Sequence, residues 1–165
     1  MKFRRLYIVA TLFGSFLLMN ALTARCQFRL NEVMADNKGA LVVGQTTPDY
    51  VEIYNTNASS TTLDGWTLTD NTNTPPKFIF PANTSIPGHG YLVVYCDAVT
   101  NEPGIHTGFS FKVTGEEVAL YQNVTNVYVL RDHIIFGLQV GDMSISRVPD
   151  GTGAWTNSRW RRRGR

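Results

Sequence analysis

Asp36, Asn37, Asp49 and Glu52 place four oxygen-bearing side chains within one short stretch. Such groups are hard-cation donors, and the chemistry they suit is Ca²⁺ coordination from a loop on a β scaffold. Their spacing is not that of an EF-hand loop. The competing reading, turn-forming and solvated loop acids, is therefore favoured. Nucleophilic chemistry finds little support. There is no Gly-x-Ser-x-Gly elbow, and neither thiol, Cys26 or Cys96, stands in a signature that links it to a histidine. His89, His106 and His133 are too widely spaced for a zinc pattern. Glu116 and Glu117 are adjacent, so on a strand they point to opposite faces and are poorly placed to act together as glycosidase acids. No catalysis and no cofactor are expected. Five tyrosines, Tyr54, Tyr91, Tyr95, Tyr121 and Tyr128, fall in strand-like runs. Two of them aligned on one open face could stack on sugar rings, whereas half-buried, sheet-forming tyrosines are the ordinary alternative.

The elements that must position these groups are short strands divided by turn residues, the pattern of an all-β sandwich. Phe28 to Ala35 is predicted as a first strand, with Phe28, Leu30 and Met34 available to one face. Tyr50 to Tyr54 is a second, with Glu52 opposite in direction to Val51 and Ile53. Trp66 to Thr69 and Lys77 to Phe80 follow. Ile86 to Gly90 is a turn leading into Tyr91 to Cys96. In that strand Leu92, Val94 and Cys96 share one face, and Tyr91, Val93 and Tyr95 the other. Phe109 to Val113, Glu117 to Tyr121, Val127 to Phe136 and Ser144 to Val148 complete the set. Trp66, after Gly65, is expected to fill the space between sheets, because an indole buries a large apolar area. Cys96 reads as a small core residue. Beyond the N-terminal segment no 3.6-residue apolar period runs through the chain.

Charge is distributed unevenly. The full chain of 165 residues carries fifteen Lys and Arg against thirteen Asp and Glu. Nine of the basic residues lie at the ends: Lys2, Arg4, Arg5 and Arg25, then Arg159, Arg161, Arg162, Arg163 and Arg165. The six that remain face all thirteen carboxylates between Glu32 and Asp150, a balance of −7. A core this acidic repels phosphate backbones, which disfavours nucleic acid as its partner.

The N-terminus has the layout of an export signal: a charged start, an apolar stretch from Leu6 to Leu18, and small or neutral residues to Ala24. Residues 1–26 are read as a signal peptide, 27–155 as the folded domain and 156–165 as a basic, disordered tail. Cleavage after Ala24 or after Cys26 fits. Lipidation at Cys26 is disfavoured by Arg25 before it. The membrane is met only through the signal segment. For the Arg-rich tail, a basic arm for anionic polymers competes with a truncated or frame-shifted end that carries no selected function. The second is favoured.

Six short signatures run in order along the chain. They are Asn31-Glu32-Val33-Met34-Ala35-Asp36-Asn37, Asp49-Tyr50-Val51-Glu52-Ile53-Tyr54-Asn55 and Leu63-Asp64-Gly65-Trp66-Thr67-Leu68-Thr69-Asp70, followed by Gly88-His89-Gly90-Tyr91-Leu92-Val93-Val94, Gly115-Glu116-Glu117-Val118-Ala119-Leu120-Tyr121 and Arg147-Val148-Pro149-Asp150-Gly151-Thr152-Gly153-Ala154-Trp155. Together they resemble a lamin-tail domain of the bacterial exported type. That resemblance implies a single immunoglobulin-like antiparallel β-sandwich and no reaction. It marks Asn31, Glu32, Glu52, Gly65, Trp66, Gly115, Glu116, Pro149, Asp150 and Gly151 as structural signature residues. It implies a secreted, periplasmic or cell-surface interaction or attachment module, with envelope or extracellular proteins as partners. A carbohydrate-binding or Ca-dependent accessory module of a larger exported enzyme is the alternative.

Overall fold

The computed structural model describes residues 26–99 and 101–159. The expected signal segment, apart from Cys26, and the last part of the basic tail lie outside them. Every regular element among the described residues is a strand: β1 Phe28–Met34, β2 Asp49–Asn55, β3 Thr61–Thr62, β4 Trp66–Thr69, β5 Phe78–Ile79, β6 Ser85–Ile86, β7 Tyr91–Cys96, β8 Glu116–Val124, β9 Val127–Phe136, β10 Met143–Val148 and β11 Ala154–Arg159. β11, β10, β1, β2 and β7 form one sheet in that order, and β5, β4, β8 and β9 another. β3 and β6 make a separate two-stranded ribbon. All strand pairs are antiparallel, an arrangement consistent with an immunoglobulin-like sandwich.

The alternation of each strand explains the core. Phe28, Leu30, Val51, Ile53, Val94 and Cys96 from the larger sheet meet Trp66, Leu68, Val118, Leu120 and Ile134 from the smaller one. Trp66 packs edge-on against Phe28, ring centres 5.1 Å apart. Phe109, Phe111 and Phe136 close one end.

Met34 departs from the expected face. The β1–β2 register shifts between Leu30 and Glu32, so Asn31 is an extra residue in β1. A bulge reverses the alternation beyond it. Val33 and Ala35 therefore continue the core, while Met34 packs with Tyr50, Tyr95 and Val43 in a second cluster.

Phe109 to Val113 is not a strand. Its amides find other partners: Phe109 N–H donates to Thr107 Oγ1 and Phe111 N–H to Asp49 Oδ2, at 3.3 and 3.2 Å. The chain also continues in order past Trp155. β11 pairs with β10 along its whole length, so residues 156–159 extend the sheet where a disordered tail was expected. The fourth expected strand shrinks to Phe78–Ile79, with Phe80 N–H still donating to the Trp66 carbonyl in line with the β4–β5 register.

Candidate functional site

The larger sheet has one face on the core and one turned away from it. Two loops fold over the ends of that outer face. The 36–48 loop lays Ala40, Leu41 and Val43 onto Met34, Tyr50 and Tyr95. At the other end the turn joining β10 to β11, which contains the cis Val148–Pro149 bond, approaches Tyr54. Gly151 has φ +65°, and a Cβ there would stand 2.4 Å from the Tyr54 ring. Only glycine suits both the backbone and the space.

Between the loops lies a row of carboxylates and hydroxyls. Glu32 and Glu52 are direct cross-strand partners, 5% and 8% exposed. Tyr50 OH donates to Glu32 Oε1 at 2.8 Å. Burial, and then the neighbouring Glu32 charge, raise the Tyr50 phenol well above its ordinary range, so it remains a donor. Asn31 supplies the donor for Glu52. Its Nδ2 lies 2.8 Å from Glu52 Oε1 and 3.3 Å from Asp150 Oδ1, and its Oδ1 accepts from Gly151 N–H at 2.7 Å. The bulge residue thus holds three signature groups together: Glu52, Asp150 and the glycine turn.

Asp150 also accepts from Tyr91 OH at 2.5 Å. Tyr91 stands opposite Tyr54 across β2 and β7, ring centres 5.1 Å apart and planes at 40°. His89, in the left-handed region at φ 53°, brings its Nδ1 to within 3.2 Å of Tyr54 OH. Tyr91 is 36% exposed. Two tyrosines are therefore aligned on one face, beside two carboxylates.

The candidate Ca²⁺ ligands, already the disfavoured reading of the sequence, do not converge. Glu52 faces away from Asp49, because residues three apart on a strand point oppositely. Asp36 accepts the Lys38 ammonium at 2.7 Å. Asn37 clips its own loop, donating to the Leu41 and Pro48 carbonyls at 2.6 and 2.8 Å and accepting from Leu41 N–H at 3.1 Å. Asp49 accepts from the Asn37 and Phe111 amides at 3.4 and 3.2 Å. Its pKa is raised, chiefly by burial, with those amides acting against the rise. Asp36, Asn37 and Asp49 build a loop, Glu52 stands within β2 beside Asn31, and among the described residues no group of three or more His, Cys, Asp or Glu is arranged to hold a metal.

Other signature positions also serve the scaffold. Glu116 pairs with Lys112 at 2.8 Å, whereas Glu117 accepts from Thr72 N–H at 2.7 Å and contacts His133 Nε2 at 2.9 Å. Gly115, at φ +116°, lets the chain pass the Phe136 carbonyl, which a Cβ would approach to 2.7 Å. Both cysteines are free. Cys96 is fully buried, and burial pushes its thiol pKa well up, which keeps it protonated and inert. His106 Nδ1 meets Asp97 Oδ1 at 2.6 Å and ties the loop after β7 to that strand's edge.

Three important groups were not singled out from sequence. Arg147 Nη2 donates to Asp132 Oδ1 at 2.9 Å, its Nε to the Leu30 carbonyl at 3.0 Å and its Nη1 to the Gly153 carbonyl at 3.1 Å. Its guanidinium stacks on Trp155 at 4.4 Å. Asp132 Oδ2 accepts from Leu30 N–H at 3.0 Å, so the two side chains satisfy the backbone beside the bulge and join the two sheets. Asp142 Oδ1 accepts from the amides of Lys38, Gly39 and Ala40 at 2.8, 3.0 and 3.0 Å. Arg147 did stand in a signature, but its partners lie in segments remote from it.

Comparison with known proteins agrees with this architecture. The model of one family, the Lamin Tail Domain, matches residues 23–133. No curated protein and no solved structure matches the chain.

Proposed function

The chain belongs to the lamin tail domain family, and from that premise we propose that it is a non-catalytic, exported interaction module that takes cationic protein segments on the outer face of its larger sheet. One observation carries this reading: the Tyr54–Tyr91 pair, 5.1 Å apart, stands beside Asp150 and Glu52 on that face. Carboxylates supply the charge a guanidinium or ammonium seeks, and tyrosine faces attract the same cations through their quadrupoles. The −7 balance of the residues between Arg25 and Arg159 adds long-range attraction for basic partners. Export rests on the charged start and the apolar Leu6–Leu18 stretch. Envelope or extracellular proteins are the partners such an address offers.

A second reading is favoured by the same tyrosine pair. Two aligned aromatic rings with carboxylates at their side also suit a sugar, whose ring stacks and whose hydroxyls donate. The two readings separate in one experiment. The chain is titrated with a Lys/Arg-rich peptide and, in parallel, tested for retention on insoluble polysaccharides. Cationic recognition predicts peptide binding that weakens with salt and falls at least tenfold in Glu52→Gln and Tyr91→Ala. Salt-insensitive retention on polysaccharide, lost in Tyr91→Ala but kept in Glu52→Gln, would replace it with the sugar reading. Neither binding would sink both.

A further inference from the structure

The six basic residues between Arg25 and Arg159 fall into two groups. Lys38, Lys77 and Lys112 each have an acid of their own, Asp36, Asp70 and Glu116, at 2.7, 2.5 and 2.8 Å. Arg29, Arg131 and Arg147 gather instead where the first half of β1 meets β9. Among the described residues Asp132 is the one acid they pair with. We infer that this seam is an oxyanion site, in which Arg29 and Arg131 take a phosphate or sulfate group while Arg147 holds Asp132 in place.

Backbone geometry brings the three together. Leu130 faces Tyr121 and Asp132 faces Leu120 across β8, so Arg131 is an extra residue in β9, the edge strand of the smaller sheet. A bulge at a sheet edge re-aims the side chain it carries. Asp132 Oδ2 accepts from Leu30 N–H at 3.0 Å, which draws β9 up to β1. Arg29 stands one residue before Leu30. Its Nη1 comes to 3.6 Å from Asp132 Oδ1, and its side chain is 36% exposed. Arg29 and Arg131 also act on one neighbour, the Cys26 thiol. Burial raises its pKa, and the two guanidiniums oppose the rise. The two cations therefore lie around one point.

Charge and hydrogen bonding identify the ligand. Asp132 is bonded by Arg147 Nη2 at 2.9 Å, a pair that neutralises itself. Two guanidiniums are then in excess. The 3.6 Å contact of Arg29 is too long for a hydrogen bond. Arg131 Nε is buried and has no hydrogen-bond partner among the described residues, which is costly for a donor. A phosphate or sulfate has oxygens for two forks at once. Side-on bonding to Arg131 satisfies Nε while a further oxygen meets Arg29. A carboxylate, with two oxygens in one plane, matches a single fork. The −7 balance repels anions from the rest of the domain, so a small anion is confined to this seam and an extended phosphate backbone is kept away.

This site needs Arg29 and Arg131 and neither Tyr91 nor Glu52, so it stands apart from the cationic recognition proposed above. The chain is titrated at constant ionic strength with inorganic phosphate, inorganic sulfate, glycerol phosphate and acetate, and its amides are followed by heteronuclear NMR. Phosphate and sulfate are expected to give saturable shifts at Arg29, Leu30, Arg131 and Asp132. Arg29→Gln and Arg131→Gln should each weaken phosphate binding at least fivefold. Arg131→Lys, which keeps the charge and loses the fork, should stay weak. Lys112→Gln removes an equal charge from a residue paired with Glu116 and should change the affinity less than twofold. Melting curves show that each variant is folded, and in the native chain phosphate should raise the midpoint where acetate does not. Glycerol phosphate binding more tightly than the free ion would assign the site to a phosphorylated molecule, and the reverse order to the ion itself; both uphold it. Shifts that do not saturate, acetate binding as tightly as phosphate, or full affinity in Arg131→Gln would overturn it.

Discussion

Glu32 and Glu52 stand directly opposite each other on β1 and β2, nearly buried, Glu32 accepting from Tyr50 OH and Glu52 from Asn31 Nδ2. Like charges directly opposite each other on paired strands repel. The physical consequence is that neutralising either one should not weaken the fold through lost charge. Glu32→Gln keeps an oxygen for Tyr50 OH and removes the cross-strand repulsion. Its melting temperature should equal or exceed that of the native chain, with the difference largest at low ionic strength. Thermal scans at low and high salt test this, and a clear loss of stability at low salt would mean that the Glu32 charge is compensated from elsewhere.

Asn31 has the opposite standing. It is fully buried, and its single amide serves Glu52, Asp150 and Gly151 N–H. Asn31→Ala would leave a carboxylate and a backbone amide short of a partner. The expected cost is about 2–4 kcal/mol, the sum of two unsatisfied buried groups. Denaturant unfolding measures it directly. A loss under about 1 kcal/mol would show that water or backbone adjustment replaces the amide.

Arg147 and Asp132 join the two sheets through a half-enclosed ion pair that also satisfies the Leu30 backbone. Without Arg147, Asp132 keeps the Leu30 amide and a longer contact to Arg29, at 3.6 Å. Arg147→Met should destabilise by about 2 kcal/mol, the worth of a charge-assisted hydrogen bond. The double change Arg147→Met with Asp132→Asn should recover part of that loss. A double-mutant cycle in urea checks the coupling, and strict additivity would argue against the pair acting as a unit.

Acid should open the 38–40 loop first. Three backbone amides, Ala40 foremost, hold the Asp142 carboxyl below its ordinary value. A lowered folded-state pKa contributes stability above the unfolded value, and that stability is lost as pH falls through the folded one. Asp142→Asn should therefore lower the melting temperature at pH 7, and the gap between the two chains should close as pH falls through the folded-state pKa. Asp49 carries the reverse sign. Burial raises its pKa, so its contribution is present at low pH and declines as pH rises through the folded value. Asp49→Asn should compare more favourably with the native chain at pH 7 than at pH 3. Melting curves across that range decide both, and parallel curves for Asp142→Asn would refute the assignment.

Calcium should leave the fold indifferent. Asp36, Asn37 and Asp49 already have partners within the protein, and Glu52 faces another way. Millimolar Ca²⁺ against a chelator should not move the melting midpoint, whereas a cation bound only by the folded state would raise it.

Local pattern determined much of this protein. Period-two alternation suffices to recognise an all-β chain, and Trp66–Thr69, Tyr91–Cys96 and Val127–Phe136 are strands with the bounds their residues suggest. Their signal is local because β-branched and aromatic side chains suit a pleated surface wherever it lies. Tertiary structure decided the rest. Phe109 to Val113 alternates like a strand, yet Phe111 N–H is taken by Asp49, far away in the chain. Met34 left the core because Asn31 bulges, and what holds the bulge is Asp150, Gly151, Asp132 and Arg147, all more than ninety residues further on. Glu32 and Glu52 each look like an ordinary strand acid. Only the register of β1 on β2 sets them face to face, and register is a property of the paired strands rather than of either one.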